Sequence, residues 1–174
     1  MLREGIEGAS VRKVAAEAGV SAGSLRHVFP SQSELLVFAM QLVIDEVTGR
    51  VEAVDATGEI RAVVEQLLHS LLVLDAETRA VFDVWLAFLV RARVEPALRQ
   101  LRDETHAQVR GLCRRAVETL QAEGKARAEV DLDCETERLH ALVDGLAMHA
   151  TLAPEVTTPA RQVEILARHL DALA

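Results

Sequence analysis

The chain contains no tyrosine, only two cysteines and only four prolines, and each scarcity closes off a class of structure. Cys113 and Cys134 form no C-x-x-C motif, and a single pair is no disulfide framework, so both are expected as reduced thiols. Prolines this sparse, with no alternating apolar pattern, argue against a sheet and for an all-α chain. No apolar run approaches the roughly 18 residues that a membrane-spanning helix needs, and no basic-then-apolar leader precedes a cleavage site. A soluble cytoplasmic protein without a membrane partner is the expectation. Half of the 174 residues are apolar, enough for a substantial core and too many for disorder.

Positive charge is also scarce: the formal net charge is −8. Its distribution is uneven. Residues 1–40 carry Arg3, Arg12, Lys13 and Arg26 against Glu4, Glu7, Glu17 and Glu34, so the acidic excess lies wholly in residues 41–174. A neutral head on an acidic body suits local contacts to an anionic polymer and excludes strong nonspecific affinity for one.

The richest local pattern runs from Ser10 to Leu36. Ser10 is a good N-cap for a helix over Val11–Ala18, which sets Val11, Val14, Ala15 and Ala18 on one face. Gly19 stands where a helix end favours a left-handed residue, and Ser21 caps a second short helix. That helix turns Leu25 and either Val28 or Phe29 inward and leaves Ala22, Gly23, Ser24, Arg26 and His27 outward. Pro30 stops it, and Ser31 with Glu34 forms an S-x-x-E capping signature for the next helix. Two short helices around a tight turn are the mark of a helix-turn-helix. Downstream, periodicity and caps predict helices near 31–53, 58–74, 76–92, 95–123, 134–153 and 159–173. Asp75 and Asp133 are the expected caps of two of them, Thr158-Pro159 opens the last, and Gly124 ends the longest. Connections this short favour antiparallel neighbours in a bundle.

With Gly5, Ser10-Val11, Val14-Ala15, Ala18-Gly19-Val20-Ser21, Gly23, Leu25, Phe29, Ser31 and Leu35 in register, the chain resembles TetR-family transcriptional regulators over about a fifth of its length. The segments LVDGLAMHATLAPE and TPARQVEILARHLDAL are similar to the last two helices of members near the choline-responsive betaine-pathway repressors. The resemblance implies a helix-turn-helix DNA-binding domain over residues 1–37 and a helical ligand-binding and dimerisation domain over 38–174. Family members carry a longer first helix ahead of the position of Gly5, so the expectation is either a native start upstream of Met1 or a chain truncated at its N-terminus, with the first helix largely missing. Arg26 replaces a common tyrosine, Val28 a histidine or tyrosine, and Gln32 a lysine. Arg26 has the reach to grip a guanine edge, while Gln32 offers phosphate a hydrogen bond without charge.

Carried over residue by residue, the resemblance points to Ser10, Arg12, Ser21, Ala22, Gly23, Ser24, Arg26, His27 and Gln32 as the DNA-contacting set. The aromatic stretch Val81–Leu89 suggests an effector pocket with Phe82, Trp85 and Phe88 as apolar wall and His69, His106 and Arg91 as polar fixtures. The last two helices imply a homodimer interface of Leu139, Val143, Leu146, Ala147, Ala150, Val163, Leu166 and Leu170. The implied partners are a palindromic double-stranded operator, a small-molecule effector and a second copy of the chain, with no cofactor. Metal and catalytic readings find little footing: His140 and His149 are not stacked at i and i+4, and Cys113 has no histidine at a recognised nucleophile spacing. The rival readings are a helical scaffold module that does not bind DNA and, more distantly, a small-molecule enzyme.

Overall fold

The structure, a computed structural model, describes Ser21, Gly23 and residues 27–174. Ser10, Arg12, Ala22, Ser24 and Arg26 lie outside the described residues, and of Gln32 only the backbone is described. The elements are α1 (Gln32–Glu52), α2 (Ile60–His69), α3 (Ala76–Ala92), α4 (Pro96–Ala122), α5 (Leu132–Leu152) and α6 (Pro159–Asp171). No strand occurs among the described residues, and the all-α class stands.

Local chemistry sets most helix ends. Ser31 Oγ accepts from the Glu34 amide at 3.2 Å and opens α1. Asp75 and Thr78 cap α3 reciprocally, and Thr158 followed by Pro159 opens α6. Gly124, at φ 67°, lets the Lys125 and Ala126 amides fold back onto the Leu120 carbonyl and closes α4. Two ends differ from expectation. The cap of α5 is Asp131, which accepts from the Cys134 amide at 3.0 Å, while Asp133 pairs with Arg114 across the α4–α5 seam. The second helix stops at His69 rather than near 74, because the Leu71 and Leu72 amides bond to carbonyls three residues back and tighten the chain into a turn.

Burial sorts the apolar residues into two main clusters. One joins Leu68 of α2, Cys113, Val117 and Leu120 of α4, Leu139 and Val143 of α5, and Leu166 and Leu170 of α6. The other joins Leu36 and Met40 of α1, Val84 and Phe88 of α3, and Leu98 of α4. Ser33 Oγ donates to Glu95 Oε2 at 2.7 Å, so α1 and α4 begin at the same end of the molecule. The α3 helix ends there too, with Ala92 in the second cluster, and so runs opposite to both. Cys113 is fully buried, and burial, helped by the nearby Asp144 charge, pushes its thiol up to about 12. It is a packing residue without nucleophilic character at neutral pH.

The interface residues expected on α5 and α6 need correcting. Leu139, Val143, Leu146, Ala147, Ala150, Leu166 and Leu170 are each at most 5% exposed within one chain, and Val163 is half-buried. They fill the intrachain core, because α5 packs at once against α4, α3 and α6. The outward stripe of α5 is instead Ala141, Gly145, Met148 and Leu152, with Met148 41% and Leu152 72% exposed.

Along the α4–α5 seam the rings of His106 and His140 lie 4.7 Å apart. His140 also faces Asp144, with Glu137 and Arg110 beside it, and burial holds its imidazole below the usual 6.5 against the pull of Asp144. Burial depresses His69 and His169 in the same direction. The unfolded chain therefore takes up these protons first as pH falls, so their stabilisation is complete above about 6.5 and lost as pH drops toward the folded values. Asp144, raised by burial, opposes this from its ordinary 3.8 upward. We expect Tm to fall between pH 7.5 and 5.5 at fixed protein concentration, and to fall less in His140→Gln; an equal slope in that variant would remove His140 from the account.

Candidate functional site

The two main clusters do not meet everywhere. Between them lies a cavity of about 370 Å³, bounded by α1, α3, α4 and the turn after α2, with Asp144 of α5 also in its lining. It takes Met40 from one cluster and Leu72 from the other, and its volume suits a small organic ligand. Because α1 and α4 run in the same direction, the depth of the cavity follows from residue number. Met40 on α1 and Thr105 on α4 mark one end, Arg50 and Arg115 the other, ten residues or about 15 Å further along each helix. On the antiparallel α3 the order reverses, with Trp85 toward the Met40 end and Thr78 toward the Arg50 end.

Val43, Ile44, Val81, Phe82 and Trp85 make most of the wall apolar. Trp85 stacks on Phe88 at 5.7 Å and 21°, so the fully buried Phe88 stiffens the wall from behind without lining it. Thr105 Oγ1 is turned to the Leu101 carbonyl at 2.8 Å. At the far end Arg50 reaches Glu46 at 3.4 Å through one terminal nitrogen, yet its buried Nε has no partner. Arg115 is exposed, and its guanidinium makes no ion pair or hydrogen bond among the described residues. Asp144 is the one carboxylate of the lining, 3.6 Å from His140 Nε2.

Phe82 and Trp85 thus line the cavity, whereas His69, Phe88, His106 and Arg91 do not. His69 sits at the α2 terminus with Nε2 buried and unpartnered, and His106 lies tilted against His140 on the α4–α5 seam. Arg91 Nε donates to Glu95 Oε1 at 2.6 Å. With Ser33 on its other oxygen, Glu95 ties the start of α1 to the end of α3, and these two donors hold its carboxyl below the usual carboxylate range. The residues that α1 and α4 bring to the cavity escaped the sequence reading, which offered only His106 from α4. Their apolar residues carry the same periodicity whether they face a neighbour or a void.

Ahead of α1, Ser21, Gly23 and His27 are exposed. Phe29 rather than Val28 turns inward: its ring lies 5.2 Å from Phe38, while Val28 is 65% exposed. The segment thus joins directly to the helix that forms one wall of the cavity.

This arrangement, with exposed Ser21, Gly23 and His27 ahead of a helix that lines an apolar cavity, agrees with the comparisons to known proteins. Residues 1–37 match the family model described as bacterial regulatory proteins, tetR family, and residues 60–174 match the BetI-type transcriptional repressor C-terminal model. The chain belongs to the TetR family of transcriptional regulators. It is 36% identical to the HTH-type transcriptional regulator PksA of Bacillus subtilis strain 168, over 99% of this chain and 83% of that protein. To the regulator BetI of Vibrio vulnificus it is 26% identical, over 88% of this chain and 76% of the relative. A solved transcriptional regulator from Rhodococcus sp. Rha1 superposes with a TM-score of 0.85 at 29% identity, over 99% of this chain and 88% of that one. A regulator from Saccharomonospora viridis, solved in complex with choline, shares the fold at 22% identity and a TM-score of 0.77, over 98% of this chain and 87% of its own. The protein is a TetR-type transcriptional regulator with a ligand-binding C-terminal region, not an enzyme.

Proposed function

We propose that the protein is a dimeric cytoplasmic repressor that grips a palindromic operator through residues 1–37 and releases it when a small molecule occupies the cavity of residues 38–174. The observation that carries this reading is the double role of α1. Its C-terminal half lines the cavity, and its first turn is tied to Glu95 just behind the DNA-facing segment. A ligand that spreads α1 from α3 and α4 tilts that segment and changes the spacing of two recognition helices, which must sit about 34–36 Å apart on successive major grooves. A 100-fold release requires about 2.7 kcal/mol of coupling, and the operator must weaken ligand binding by the same factor.

Ser10, Arg12, Ser21, Ala22, Gly23, Ser24, Arg26, His27 and Gln32 are the proposed DNA contacts, with Arg26 reading a base edge. Arg26→Ala should cost about 1–3 kcal/mol of operator affinity, concentrated at one base position. Titration of variant operators by fluorescence anisotropy checks this. A uniform loss across sequences would make Arg26 a phosphate contact, and no loss would remove it from the interface. The outward stripe of α5, with the exposed side of α6, is the proposed dimer surface. Full-length protein that gave no specific shift on DNA flanking its own gene would defeat the repressor reading.

A further inference from the structure

We infer that the effector is an elongated amphiphile with an anionic head, seated with its apolar body against Trp85 and Met40 and its head between Arg50 and Arg115. This rests on the reading of the cavity as the effector site. The lining sets two guanidiniums against one carboxylate, and the two kinds of charge are placed differently. Arg50 and Arg115 come from different helices yet stand at the same end, about 15 Å along from Met40 and Thr105. Each has unused donor capacity there: the buried Nε of Arg50 has no acceptor, and Arg115 has no partner at all among the described residues.

A buried donor left without an acceptor is costly, and an anionic acceptor relieves that cost through a charge-assisted hydrogen bond. A cationic ligand gains less. The lone Asp144 already faces His140, and Phe88 covers one face of Trp85, which leaves a quaternary ammonium only the other face of Trp85 and Phe82 among the described lining residues. The opposite end is walled by Met40, Ile44, Val81 and Trp85, which suits a hydrocarbon body.

Trp85 is the only tryptophan of the chain and reports directly on the apolar end. Its emission is to be titrated in the full chain with decanoate, decan-1-ol, decyltrimethylammonium and choline. Decanoate should give a saturable change with an affinity at least tenfold above decan-1-ol, and the two cations should bind more weakly still. Arg115→Gln, a change at an exposed side chain that leaves the fold intact by circular dichroism, should bring decanoate down to the level of decan-1-ol and leave decan-1-ol unchanged. Arg50→Gln should do the same and provides an independent test. Tighter binding of either cation, decanoate affinity unchanged from the unsubstituted protein in the arginine variants, or no saturable response to any probe would overturn the assignment. Operator release is measured separately on the same samples. Decanoate that binds through the arginines without releasing DNA keeps the ligand class and refutes the regulatory coupling instead.

Discussion

Gln162→Leu should lower the stability of the protein by about 2–5 kcal/mol, more than any change among its surface ion pairs. Gln162 is fully buried, and its side-chain amide reproduces a backbone pairing: Nε2 donates to the Val73 carbonyl at 2.6 Å and Oε1 accepts from the Val73 amide at 3.1 Å. Leucine fills similar space and hides more apolar surface, so a purely hydrophobic account predicts stabilisation. The opposite is expected, because two buried backbone groups lose their partners at about 1–3 kcal/mol each. For a chain of this size that corresponds to a fall in Tm of roughly 4–20 °C. Arg161→Ala is the control. That residue pairs with Glu164 in an exposed i,i+3 contact, worth less than about 1 kcal/mol. Thermal unfolding by circular dichroism at one fixed protomer concentration checks both, and an unchanged or raised Tm in Gln162→Leu would defeat the argument.

The same residue shows where sequence reading stops. The caps Ser31, Asp75 and Thr158 and the stop at Gly124 were legible because each acts on atoms within a few residues of itself. The helix-turn-helix was legible for the same reason, through turn and capping residues at fixed offsets. In α6 the apolar period suggested Val163 with Leu166 and Leu170. The true inner stripe is Gln162, Leu166 and Leu170, with Val163 to one side. Only the Val73 backbone, 89 residues away, makes a glutamine the better inner residue. The premature end of α2 has the same origin, since Leu71, Leu72 and Val73 continue an apolar pattern past the point where the chain turns to meet Gln162. The cavity was half legible. Trp85 and Phe82 stood out as rare aromatics, but nothing local distinguishes Phe88, packed behind the wall, from Trp85 in front of it. Nor does any local signal bring Arg50 and Arg115 to one end of a shared space, which depends on the parallel course of α1 and α4.

Gly145→Glu should leave each subunit folded and abolish the proposed dimer. Ala141, Gly145, Met148 and Leu152 follow one another at intervals of four, three and four residues along the outward face of α5, the spacing of a helix–helix seam. A Cβ built at Gly145 meets nothing within 4 Å in the single chain, so a larger residue costs the isolated subunit nothing by collision. Glutamate is also the better helix former, favouring the subunit by several tenths of a kcal/mol. Any loss must therefore come from a second molecule. Around a twofold axis the same position appears twice, so the variant buries two unpaired carboxylates, a cost of several kcal/mol and enough to dissociate an interface at micromolar concentration. The operator then meets one recognition helix at a time and forfeits the roughly 10²–10⁴-fold gain from linking two. Sedimentation equilibrium should report a monomer. Affinity for a full palindrome should fall by that factor toward the affinity for a half-site, and the half-site affinity itself should stay unchanged. A variant that remained dimeric would move the interface off this stripe, whereas one that became monomeric yet kept full palindrome affinity would show that dimerisation through α5 contributes nothing to operator recognition.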